Sequence, residues 1–183
     1  MGTPNPSKHG PNRLLSYLNI HATMMGQYLD SGDFVGRDNV DSRPVVSRGR
    51  AGILLRGEIG CRGRIVIGVE KFLEILERLD GDAIVETRWY TYNVRVRGKH
   101  NIFRYDNQHP EYLHIGHHDE HHKHVFDSET GEELGTVWIS SDGWPHLSEV
   151  IDEARDWRHH NISTLSDPNG FPELAKRGEL REE

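Results

Sequence analysis

At 183 residues, 34% hydrophobic and with a mean hydropathy of -0.71, the chain has the length for one domain with a modest core and polar ends. The single cysteine, Cys61, excludes a disulfide framework or a cysteine-rich zinc module. With no signal-like start and no apolar run of membrane-spanning length, the expectation is a cytoplasmic protein. The net charge of -7 hides an asymmetry, because residues 1–104 carry sixteen basic against eleven acidic side chains and residues 105–183 carry six against eighteen.

In chain order, residues 1–11 are rich in Pro, Gly, Asn and Ser and are expected to be disordered. From Asn12, which can cap a helix, Leu14, Leu18, Ala22, Met25 and Leu29 recur at helical spacing until Ser31-Gly32-Asp33. Residues 36–50, with Gly36, Pro44 and Gly49, read as a loop. Ile53-Leu54-Leu55 and Ile65-Val66-Ile67 read as two antiparallel strands. Val69, Phe72, Leu73, Leu76 and Leu79 then fit a helical stripe over 69–79 that stops at Asp80-Gly81-Asp82. Over 84–97, Ile84, Tyr90, Tyr92, Val94 and Val96 fall on one strand face and Thr87, Thr91, Asn93, Arg95 and Arg97 on the other. Gly98-Lys99 turns into a returning strand at 102–105, and residues 135–139 form a further short strand. Leu147, Val150, Ile151, Ala154 and Trp157 predict a last helix, with His146 and Glu149 as a weak capping box. The sum is an α+β fold, a single domain over 12–160 in which a twisted antiparallel sheet is flanked by N- and C-terminal helices, followed by a polar tail over 161–183.

Seven of the thirteen histidines lie between His109 and His124, directly after Arg104-Tyr105-Asp106-Asn107. Histidine titrates near neutrality, ligates metals and serves as general acid or base. Three readings compete. In the first, His117 and His121, or His118 and His122, share a helical face, or His122 and His124 share a strand face, and with oxygen from Asp106, Asp119 or Glu120 they hold a divalent metal such as zinc. In the second, RNA is cleaved without metal: His122 and His124 point together on a strand as acid and base, Lys123 points away, and Arg104 supplies the cation. In the third, Asp106-Asn107 only shapes a turn and the histidines are solvated bystanders. Upstream, Arg43, Arg48, Arg50, Arg56, Arg62 and Arg64 are opposed only by Glu58, which suits either a polyanion or an ordinary solvated face.

Phe103-Arg104-Tyr105-Asp106-Asn107, then His109-Pro110-Glu111, then His121-His122-Lys123-His124 resembles the TumE-type toxin family of prokaryotic toxin–antitoxin pairs, as does the final helix after its proline. The resemblance is most specific over 102–124 and extends over about 50–157; it departs in the acid-rich 113–120, in 129–143, which looks inserted, and in the helical 69–79. It implies growth inhibition neutralised by a cognate antitoxin, a small DNA-binding protein being one form of it, and leaves homo-oligomerisation open. RNA as the target is an inference from the histidines. On that reading the site comprises Tyr105, Asp106, Asn107, His109, His122, Lys123 and His124, with Asp106 orienting an imidazole and Arg104, Lys123, Arg48 and Arg50 holding phosphate. The competing class is a non-catalytic histidine-rich module that binds metal through His117, His118, His121 and Asp119.

Overall fold

A computed structural model describes residues 10–107 and 121–176, so the expected disorder of 1–11 falls, up to position 9, outside the described residues. A two-residue strand β1 (Asn12–Arg13) leads into helix α1 (Leu14–Ser31). Seven strands follow: β2 (Val35–Asp38), β3 (Asp41–Ser47), β4 (Arg50–Cys61), β5 (Ile65–Leu79), β6 (Asp82–Val96), β7 (Asn101–Asp106) and β8 (His122–Phe126). Strand β9 (Glu133–Trp138), a one-turn helix α2 (Ser140–Gly143) and helix α3 (Leu147–His160) complete the order. All pairings among the described residues are antiparallel, and the sheet runs β2-β4-β5-β6-β7-β8-β9, with β3 beside β2 on the β4 edge. This is an α+β arrangement, mostly antiparallel sheet with a main helix near each end.

Residues 36–50 are not a loop. Pro44 is tolerated because β3 pairs only with β4, so its missing N–H deprives no neighbour. Arg48 and Gly49, both at positive φ, make the two-residue turn whose twist matches the flanking strands. Nor is 69–79 a helix. The β-branched run Ile65-Val66-Ile67 continues as one fifteen-residue strand, hydrogen-bonded by β4 on one side and β6 on the other. That pairing overrides the helix preference of its Glu, Lys and Leu residues.

In β6 a bulge at Arg88, between the Phe72–Trp89 and Leu73–Thr87 pairs, reverses the alternation. Ala83 and Val85 therefore share the buried face with Tyr90, Tyr92, Val94 and Val96, whereas Ile84 does not. Helix α1 also starts without its expected cap. Asn12 lies in β1, and the open Leu15 N–H donates instead to Asp82 Oδ1 at 3.2 Å. Gly32, at φ 63°, ends the helix as its spacing indicated.

Helices α1 and α3 cover one side of the sheet. From α3, Leu147, Val150, Ile151 and Ala154 enter a core with Met25, Ile59, Ile67, Tyr90, Tyr92 and Phe103. Full burial of such side chains contributes about 1.5–3 kcal/mol each before entropy is counted. The start of α3 is closed by the His146 N–H donating to Glu149 Oε2 at 2.6 Å.

After α3 the polar segment turns back along the far side of the sheet. Leu165 is buried, and Arg158 donates to the Pro168 carbonyl. The Phe171 ring lies over Gly36, where a Cβ would approach within 2.4 Å of it. The Ala175 N–H donates to the buried Glu58 carboxylate at 2.7 Å, which Arg95 and Arg97 also hold.

Candidate functional site

The β7–β8 register sets Asp106 opposite His122 and Arg104 opposite His124. Because side chains two apart on a strand share a face, all four converge on the far side of the sheet, away from α1 and α3. The same register continues across six strands, β4 to β9. Arg56, Glu70, Thr91, Asp106, His122 and Trp138 form one row, and Glu58, Gly68, Asn93, Arg104, His124 and Thr136 form the next. The cluster therefore stands at one end of a polar track.

Asp106 is the hub. Its Oδ1 lies 2.9 Å from His122 Nε2, its Oδ2 accepts from Arg104 Nε at 2.6 Å, and His124 Nε2 lies 3.7 Å from the same Oδ2. Burial by itself would raise the carboxyl pKa, but the hydrogen bonds and charges of His122 and Arg104 outweigh it and hold Asp106 at about 2. His124 is pushed below the ordinary imidazole value, first by burial, while its bond to Glu133 pulls the other way. Its Nδ1 lies 2.6 Å from Glu133 Oε1, and Thr136 is beside the pair. The imidazoles meet edge to face with centroids 4.8 Å apart, and His122 also packs against Trp138 at 5.1 Å. One ligand-type atom from each of Asp106, His122 and His124 lies within 4.8 Å of the other two.

The other sequence-derived residues take different positions. Tyr105 and Lys123 point to the helix side, where both bond Glu153 of α3 and the Lys123 ammonium lies over the Phe103 and Tyr105 rings. Asn107 accepts from the Tyr90 N–H and donates to the Arg88 carbonyl, so it pins the β6 bulge. His121 packs against Trp144 and Tyr90 on the helix side, centroids 4.6 and 5.8 Å away. Arg48 is in the β3–β4 turn, and Arg50 is held by Glu74 at 2.9 Å. Both belong to the far end of the sheet; three strand steps separate β4 from β7, roughly 14 Å. His109, His117, His118 and Asp119 lie outside the described residues.

Glu133 and Thr136 are the side chains that sequence reading passed over. They reach His124 because the Asp127 carboxylate accepts the Glu129 and Thr130 N–H groups and folds 127–131 into the β8–β9 turn. The stretch that looked inserted is thus largely the edge strand closing the cluster.

Fold and cluster together define a small antiparallel-sheet protein with a buried Asp–His–His centre reached from a polar face. The family model described as Toxin TumE matches residues 39–158, from the β2–β3 corner through α3. The chain belongs to that toxin family, the toxin component of a toxin–antitoxin system, and has a cognate antitoxin as its partner. No curated protein and no solved structure matches the chain. Among the described residues no helix is long and apolar enough to cross a membrane.

Proposed function

We propose that this toxin cleaves RNA, with Asp106, His122 and His124 as its chemical centre. The observation that carries the reading is the convergence of two imidazoles and a guanidinium on one anionic carboxylate at the end of a polar sheet face. In the proposed reaction His124, with Nδ1–H on Glu133, takes the 2′-hydroxyl proton through Nε2. The 2′-oxygen bonds to phosphorus, the bond to the 5′-oxygen breaks, and His122 supplies the proton to that leaving oxygen. Arg104 faces the charge that builds on the phosphorane. Both imidazoles are buried, so the phosphate reaches them past Arg104 and Glu133, whose side chains are 29% and 44% exposed.

A second reading, a divalent metal held by Asp106, His122 and His124, is favoured by one feature. A carboxylate on the outer nitrogen of a histidine, as Glu133 is on His124, commonly orients a metal ligand. Zinc or another first-row ion suits such donors. Chelation separates the two. Acid–base cleavage survives exhaustive chelator treatment with its rate unchanged, whereas a metal centre loses activity and regains it with one equivalent of zinc or manganese.

A further inference from the structure

On the helix side of the sheet, β5 alternates Val69, Lys71 and Leu73 toward the core. A lysine therefore occupies a position where an apolar residue would be the ordinary choice, and it is only 6% exposed. Its ammonium makes no ion pair or hydrogen bond among the described residues. Its neighbours are the rings of Tyr17 at 5.1 Å and Trp144 at 5.8 Å. Beside it is a cavity of about 420 Å³ between α1, the sheet and the start of α3, lined by Met24, Val69, Leu73 and Tyr92 among others. His21 of α1 also lines it, and His21 Nε2 is buried without a hydrogen-bond partner among the described residues.

We propose that this cavity binds a small monocarboxylate with an apolar body, its carboxylate paired with Lys71 and hydrogen-bonded by His21. Several observations converge on that class. The volume falls in the range of small-molecule sites, which are mostly apolar with a few polar groups fixing orientation. An ammonium buried without a counter-ion is costly, and desolvation pulls Lys71 down to about 7. Methionine at this position would fill the space without that cost, so the lysine is explained by an anion that arrives there. One ammonium matches one negative charge. A phosphate dianion would leave charge uncompensated among apolar walls, and a neutral ligand would leave the ammonium unsatisfied. The site is on the opposite face from the Asp106 cluster, so it stands whether or not the toxin cleaves RNA.

Calorimetric titration of the full-length protein with octanoate, 1-octanol and octyl phosphate tests the assignment, with Lys71→Met as the matched variant. The expected result is one-to-one binding of octanoate, at least tenfold tighter than 1-octanol, with octanoate at least tenfold weaker in a folded Lys71→Met protein. Equal affinity for octanoate and 1-octanol would show a merely greasy cavity and overturn the proposal without reference to any variant. Absence of octanoate binding, tighter binding of octyl phosphate, or an unchanged octanoate affinity in Lys71→Met would overturn it as well.

Discussion

His122 and His124 alternate on a strand directly against Asp106 and Arg104. That much was legible in the sequence, because a His-Lys-His triplet after an Arg-Tyr-Asp triplet places its outer members on one face and its middle member on the other. Glu133 was not legible, since its contact with His124 depends on the register of a hairpin whose turn geometry a single sequence does not define. Lys71 is the other informative residue. An unfolded chain keeps this lysine near 10.5, and the fold lowers it to about 7. Between those values the unfolded chain holds a proton that the folded one has released. Stability therefore rises with pH through that window, by at most about 1.4 kcal/mol per pH unit, and the deficit is complete below 7. Urea unfolding at pH 7 and pH 9 should show the native protein gaining on Lys71→Met at the higher pH. A constant difference between the two proteins would mean that the ammonium is solvated.

Strand β5 shows why element boundaries misled. Its buried Lys71 interrupts the apolar alternation, and Leu76 and Leu79 then complete a helical spacing that no helix uses. Only pairing with β4 and β6, contacts remote in sequence, settles the choice. The bulge at Arg88 hides the face of Ile84 in the same way. By contrast α3 was readable, because its stripe, its proline and its capping pair all agree locally. The β2–β3 corner offers a direct test of the pairing. At Gly57 a Cβ would lie 2.4 Å from the Val40 Cα, whereas at Gly68 the nearest atom would be 3.6 Å away. Gly57→Ala is expected to destabilise by about 1–3 kcal/mol, since backbone must shift. Gly68→Ala meets only ordinary contact and should change the urea midpoint little. Equal midpoints for the two variants would contradict the corner's close approach.

The whole molecule divides its labour between the two sides of one sheet. The helix side holds the core and the Lys71 cavity, and the far side carries the polar rows that end at Asp106, His122 and His124. Residues 161–176 tie down the opposite end of that far side through Glu58, Arg95 and Arg97. For a member of the TumE toxin family, growth on induced expression is the cellular readout to measure. The decisive measurement is cleavage of a mixed-sequence, end-labelled RNA by the purified full-length toxin, compared with His122→Gln and His124→Gln variants that retain the native circular dichroism. Acid–base catalysis of this kind typically supplies 10²–10⁴-fold, so each variant should be slowed at least a hundredfold, with wild-type products ending in 2′,3′-cyclic phosphate. Wild-type protein that slows growth yet leaves RNA intact, or variants that cleave at the wild-type rate, would contradict the assignment of this centre.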